Sequence, residues 1–198
     1  MYLQPKDIPE VLNPLNEIKE SKLFLKYMPY PDVYRVAMAQ IELHPEFDVI
    51  FWHQNDTIIT NELFQQMKKD FIESKLDFLA FNCNVDLTDY GMSHGAYSMR
   101  EVSTPHYGNI DWVPMGEHKG IIEVQHSGCP FMISRKLLLQ CPLKGEPITG
   151  INADVIHCLD LKSMGVPVML HADYRILHLR YRGEMLVGHR TSVIEWQK

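Results

Sequence analysis

Helix-type and strand-type apolar patterns alternate along this sequence, and this alternation limits the folds open to it more than any other feature. The apolar residues of 8–20 are spaced as on one face of a helix, a short apolar run at 23–28 suits a strand, and a second helical pattern covers 31–44. Such alternation is typical of βαβ units. We therefore expect an α/β fold with a mostly parallel central sheet flanked by helices.

The length and the composition predict one globular domain. A chain of 198 residues, 45% of them hydrophobic, can bury one good core. Residues 84–120 are rich in Gly, Tyr, Ser, His and Met with little periodicity, and we expect them to form an irregular, substrate-facing insertion. We expect a mobile tail at 183–198, which either folds over a ligand or frays.

Charge and cysteine content exclude several classes of function. The formal net charge is -6, without a run of Lys and Arg, so a nucleic-acid backbone is an unfavourable partner. The four cysteines are scattered without C-x-x-C spacing and predict neither a zinc site nor a disulfide framework. No segment approaches 18 unbroken apolar residues. We therefore expect no membrane span and a cytoplasmic location.

The continuous apolar run 47–52 predicts a central parallel strand that is covered on both faces. This run ends abruptly in the polar segment His53-Gln54-Asn55-Asp56. Ligands of open α/β sheets bind at the carboxyl ends of the strands. The polar segment is therefore a candidate binding loop.

Three later segments complete the pattern. The turn Ser127-Gly128-Cys129 precedes a short strand at 131–134. Asn152-Ala153-Asp154 opens a helical pattern that continues through Met164 and is closed by Gly165. A strand then leads to His178.

Taken in this order over residues 23–178, these segments resemble the GT-A glycosyltransferases, especially the inverting ones. In that family an apolar strand ends in a D-x-D signature, and a later strand leads into a G-x-x-x-I-S/R-R-like segment. An acidic pair then opens a helix that ends in Gly, and a His follows the next strand. The small size is similar to that of viral or microbial members.

The resemblance implies a single Rossmann-like GT-A domain with transferase activity. The donor is a nucleotide-diphosphate sugar, and the acceptor is a hydroxyl group of a carbohydrate or glycoprotein. The resemblance also implies a cytoplasmic enzyme, in the host cytoplasm if the protein is viral.

The resemblance further implies a bound Mn²⁺ or Mg²⁺ between the protein and the donor phosphates. Gln54-Asn55-Asp56 stands in the place of D-x-D, so only Asp56 keeps an acidic side chain. His178 matches the late His that completes the metal shell, with His171 as its competitor. Alternatively, Asn55 and Asp56 cap the turn into the next helix, and the histidine is structural.

Three other positions take roles from the resemblance. Asp154 is the general base that deprotonates the acceptor hydroxyl. Gly128 lets backbone approach a sugar closely, and Arg35, like Gln54 and Asn55, lies near the donor. The alternative interpretations are an acid favoured by the helix dipole for Asp154, an ordinary turn at Gly128 and a solvated charge at Arg35.

Other functions fit the sequence less well. A sugar nucleotidyltransferase needs a G-x-G-T/S-R loop near the N-terminus, and a zinc hydrolase needs an H-E-x-x-H spacing; neither is present. The loss of the first acid at Gln54 leaves a second hypothesis open. It is a degenerate glycosyltransferase-fold protein that binds carbohydrate or a protein partner without catalysis.

Overall fold

A computed structural model of the chain describes residues 2–3, 9–26, 30–53, 57–85, 96–99, 110–112, 118–128, 130–144, 153–178 and 193–197. The helices are α1 (Pro9–Glu17), α2 (Tyr30–Leu43), α3 (Asn61–Ser74), α4 (Arg135–Gln140) and α5 (Ala153–Ser163). The strands are β1 (Tyr2–Leu3), β2 (Lys22–Lys26), β3 (Val49–Trp52), β4 (Phe78–Val85), β5 (Ala96–Met99), β6 (Ile110–Trp112), β7 (Ile121–Glu123), β8 (His126–Ser127), β9 (Phe131–Ser134), β10 (Met169–His178) and β11 (Val193–Gln197).

The central sheet is five-stranded, with the order β3-β9-β4-β10-β7. The predicted α/β class with flanking helices is confirmed. The prediction of a mostly parallel sheet is wrong, because only β4 and β10 pair in parallel while the other three pairings are antiparallel. β9 enters the sheet from the edge at which β4 leaves it, so it must run in the opposite direction.

The prediction that the run 47–52 forms a central parallel strand is also wrong. β3 is an edge strand of this sheet, and its partner β9 is antiparallel to it. The run is apolar because apolar groups cover both of its faces: Phe51 meets the Phe64 ring edge-on at 5.2 Å, and Trp52 stacks on Tyr34 at 5.5 Å. A continuous apolar run indicates that both faces of a strand are buried. It does not indicate how many strands pair with it.

Helices cover both faces of the sheet, and two apolar clusters fill the space between them. Alternate residues of a strand point to opposite faces. Phe131 and Ile133 of β9 therefore belong to a cluster with residues of α2, α4 and α5, and Met132 belongs to the other cluster, with residues of α1 and α3. The core thus has three layers, with the sheet in the middle.

Local signals at the helix ends agree with the sequence. The Thr60 hydroxyl accepts a hydrogen bond from the Leu63 N–H at 3.2 Å and caps α3, as a threonine directly before a helix commonly does. The Ser134 hydroxyl caps α4 in the same way. Gly165 follows α5 with a φ of 76°, as expected for a glycine that ends a helix.

Two three-stranded sheets complete the described structure, with the orders β1-β2-β11 and β6-β5-β8. Within the segment predicted as a tail, residues 193–197 form β11, which pairs antiparallel with β2. Residues 183–192 lie outside the described residues. In the described part of the chain, no helix is long and apolar enough to cross a bilayer.

The position of β9 makes Ile133 a test of the fold. Its side chain is fully buried in the strand that joins β3 to β4. We expect Ile133→Ala to lower the free energy of unfolding by about 3 kcal/mol, because it leaves a cavity in a packed core. Urea denaturation measures this change. The same replacement at Ile72, which is 60% exposed on α3, should change stability by less than about 0.5 kcal/mol. Equal effects at the two positions would contradict the role of β9.

Candidate functional site

Two of the predicted site positions, Gly128 and Asp154, lie at one edge of the central sheet. β3, β4 and β10 end at this edge, which we call the carboxyl edge. Trp52 pairs with Phe131, so the segment after β3 and the turn before β9 emerge side by side. The sheet therefore brings His53, which follows β3, and Gly128 to the same edge.

Asp154 and Gly128 lie against each other. Asp154 is in the first turn of α5 and is only partly buried. A Cβ atom placed on Gly128 would lie 3.2 Å from Asp154 Oδ2, which is tighter than an ordinary van der Waals contact. The absence of a side chain at Gly128 therefore makes room for the carboxylate.

Packing of α5 against β8 holds this arrangement in place. Cys158 lies one helical turn after Asp154, and its thiol donates to the Ser127 carbonyl at 3.5 Å. Cys158 and Ser127 are each about 1% exposed. Burial raises the pKa of the Cys158 thiol to about 12, so it stays protonated as a donor at neutral pH. The Cys158 thiol, one turn from Asp154, is therefore uncharged.

The predicted metal loop is bounded by two buried residues. His53 follows β3, and its Nε2 lies 2.8 Å from the carbonyl oxygen of Thr57. The residues that flank positions 54–56 are thus tied to each other. Gln54, Asn55 and Asp56 lie outside the described residues, so their predicted roles stay predictions.

The two candidate histidines are on the same strand but in different surroundings. His178 ends β10, where its backbone pairs with Val85 of β4, and its side chain is outside the described part. His171 points to the opposite face of the sheet from α5. Its Nε2 lies 3.6 Å from Asp70 Oδ2 of α3. His171 therefore does not join Asp154.

Asp70 also accepts a hydrogen bond of 2.6 Å from the Tyr174 hydroxyl. Burial raises the pKa of the Tyr174 hydroxyl above its ordinary value, and the hydrogen bond to the Asp70 carboxylate raises this pKa further. The shift in strand register between His171 and Ile176 places Tyr174 at this point. The cluster of Asp70, His171 and Tyr174 therefore joins α3 to β10, away from the carboxyl edge.

Arg35 lies on the exposed surface of α2. Its side chain is 78% exposed, and its guanidinium pairs with the Asp32 carboxylate at 2.8 Å. This is an ion pair between neighbouring turns of one helix. A role near a donor stays a prediction.

Backbone pairing joins the segment predicted as a substrate-facing insertion to the strand that precedes Gly128. Ala96 of β5 pairs with Ser127 of β8, directly before Gly128. β5 in turn pairs with β6. The described strands of the insertion therefore form a small sheet beside the Gly128 turn.

Sequence reasoning missed a buried histidine beneath the site. His157 is 1% exposed and stacks on the Phe131 ring at 6.0 Å, and its Nδ1 lies 3.8 Å from Cys141 Sγ. Burial lowers its pKa to about 4, so it is neutral at pH 7. Ala153 and Leu161 lie four residues before and after it, and this apolar spacing was the available signal.

His126 of β8 is equally buried, and burial lowers its pKa to about 4 as well. Within the described ranges, no three His, Cys, Asp or Glu side chains are placed to hold a metal ion.

Comparisons with known proteins add no assignment. No protein-family model matches the chain. A search of curated proteins finds no significant match either. The inferences below therefore depend on the residues and their geometry.

The buried histidines predict acid sensitivity. Unfolding releases His157 to its ordinary pKa of about 6.5. The unfolded chain then binds a proton that the folded chain does not bind until about pH 4, so stability falls as the pH falls from 6.5 towards 4. We expect the melting temperature to fall less between pH 7 and pH 5 in the His157→Leu variant than in the wild type. Thermal unfolding followed by circular dichroism at several pH values measures the slope.

His118 provides the matched control for this measurement, because its side chain is exposed. His118→Leu should keep the wild-type dependence on pH. If His157→Leu and His118→Leu show the same slope, His157 is not a source of the acid sensitivity.

Proposed function

We propose that the protein is a glycosyltransferase of the GT-A type. It transfers a sugar from a nucleotide-diphosphate sugar to an acceptor hydroxyl, with Asp154 as the general base and a divalent cation at the diphosphate. One observation carries the proposal: the Asp154 carboxylate lies against Gly128 at the carboxyl edge of an α/β sheet, the edge at which β3 and β10 also end.

The position of Asp154 suits a base. The carboxylate is partly exposed, so an acceptor can reach it. Gly128 presents only backbone beside it, and a side chain at that position would crowd the carboxylate. The carboxyl edge is also the side of an open α/β sheet at which ligands bind.

The chemistry asked of Asp154 is a single proton transfer. The acceptor oxygen forms a bond to the anomeric carbon as the bond from that carbon to the nucleotide diphosphate breaks. A carboxylate oxygen of Asp154 takes the hydroxyl proton, and the leaving group departs with the electron pair. Attack from the face opposite the leaving group inverts the configuration.

The cation belongs to the proposal through the chemistry of its donors. Asp56 would supply a carboxylate oxygen and His178 an imidazole nitrogen, whereas Gln54 offers only a neutral carbonyl. Mn²⁺ accepts such a mixed set, while Mg²⁺ prefers oxygen ligands. When bound, the cation neutralises charge on the diphosphate. Asp56 follows β3 in the chain and His178 ends β10, and both strands end at the carboxyl edge.

Removal of the base should abolish turnover without abolishing donor binding. We expect Asp154→Asn to lower the transfer rate by about 10²- to 10⁴-fold, because the amide cannot accept the acceptor proton. The measurement is nucleotide release with Mn²⁺ and a panel of uridine and guanosine diphosphate-sugars, with and without simple sugar acceptors. Donor affinity, from isothermal titration, should change by less than about threefold.

Two further variants sharpen this test. Asp160→Asn, on the same helix, removes a carboxylate that pairs with Lys144 at 2.7 Å and should keep the wild-type rate. Gly128→Ala is compatible with the backbone, since Gly128 has no positive φ, but its Cβ displaces the Asp154 carboxylate and should slow transfer. A fully active Asp154→Asn variant would refute the assignment of the base.

The metal is tested separately. We expect Mn²⁺ to tighten the binding of uridine or guanosine diphosphate in isothermal titration, and Asp56→Ala to weaken Mn²⁺ binding by about tenfold or more. Asp77→Ala, at the opposite edge of the sheet, is the matched control. Tight donor binding without turnover in the wild type would instead favour the degenerate, carbohydrate-binding protein.

A further inference from the structure

A cavity of about 390 Å³ lies beside β3, away from Asp154. Its walls are mostly apolar and come from α1, α2, α3 and β2. Phe64 and Leu15 stand on one side, and Ala37, Ile41 and Leu25 stand on the other. Its volume is within the range of binding pockets in proteins.

The cavity follows the edge of β3 and does not cover one of its faces. All four residues of β3, Val49–Trp52, line it. Successive side chains of a strand point to opposite faces, so only a cavity along the edge can contact all four. β3 is also an outer strand of the central sheet.

The hydrogen-bond pattern shows which backbone groups face the cavity. The Arg135 N–H donates to the Asp48 carbonyl at 2.8 Å, which continues the β3–β9 ladder. In an antiparallel pair, every second residue bonds to the partner, so Ile50 and Trp52 bond to β9. Val49 and Phe51 direct their N–H and C=O groups away from β9, towards the cavity.

We infer that this cavity is a docking site for an extended peptide segment of a protein partner, which adds a strand to β3. Within the described residues, the backbone groups of Val49 and Phe51 that face the cavity have no hydrogen-bond partner, and a peptide backbone supplies matching donors and acceptors. Alternate side chains of such a strand enter the two apolar clusters on opposite faces of the sheet. An alkyl chain fills the volume but leaves the backbone groups of Val49 and Phe51 unsatisfied.

Charged residues at the rim of the cavity indicate which charge the partner peptide should carry. Asp48 precedes β3 at the rim of the cavity, and its exposed carboxylate has no ion-pair partner within the described ranges. At the α3 side of the rim, Lys68 pairs with Glu20 at 2.8 Å. The fitting segment is therefore a continuous apolar run of about four residues, matching the length of β3, with a Lys or Arg at the end that lies over Asp48. A second copy of this folded chain fits poorly, because helices line the cavity on both sides.

The test selects peptides on the whole chain. A random nonapeptide library displayed on phage is panned on the wild-type protein. We expect the enriched sequences to share a run of about four apolar residues with Lys or Arg at one end. A labelled synthetic copy of an enriched peptide is then measured by fluorescence anisotropy.

Val49 allows a matched pair of variants. Val49→Pro removes only the N–H that faces the cavity, and proline is tolerated at the first residue of an edge strand. We expect it to weaken peptide binding at least tenfold, while Val49→Thr keeps the N–H and binds within about twofold of the wild type. A peptide N-methylated at alternate residues should bind the wild type at least tenfold more weakly, which tests the same bonds without changing the protein.

Several results would overturn the inference. They are a failure to enrich any peptide, equal binding of the N-methylated peptide, and wild-type affinity in a folded Val49→Pro variant. Self-association in sedimentation that Val49→Pro abolishes would assign the cavity to a second copy. None of these measurements depends on Asp154 or on a cation, so the inference and the proposed transferase activity can fail separately.

Discussion

The structure depends on the antiparallel insertion of β9 between β3 and β4. Ser134 N–H donates to the Asp77 carbonyl on one side, and Arg135 N–H donates to the Asp48 carbonyl on the other, both at 2.8 Å. Phe131, Met132 and Ile133 are buried between these bonds and the two helical layers. One short strand therefore supplies pairing to two neighbours and side chains to both apolar clusters.

The direction of β9 determines where the candidate site forms. Because β9 starts at the carboxyl edge, the turn that precedes it is at the edge where β3, β4 and β10 end. α5 packs behind that turn through Cys158 and places Asp154 against Gly128. The groups below the carboxylate, His157 and Cys158, are held neutral by burial.

The same insertion leaves β3 with one free edge. β9 uses the hydrogen-bonding groups of Ile50 and Trp52, while those of Val49 and Phe51 face a cavity between the two helical layers. Natural proteins usually cover or shorten such edges, since an open edge pairs with other strands. The edge along β3 and the carboxyl edge meet near His53 but involve different chemical groups, backbone amides in one case and a carboxylate in the other.

The sequence by itself determined what depends on near neighbours. The α/β class, the Thr60 cap, the glycine end of α5 and the place of Asp154 in its first turn follow from patterns within one or two turns of chain. The order and direction of the strands, the edge position of β3, the contact between Gly128 and Asp154 and the separation of His171 from Asp154 were decided only by the tertiary structure. Apolar periodicity records which side of an element is buried, whereas the partner that buries it is chosen by packing between residues far apart in the chain.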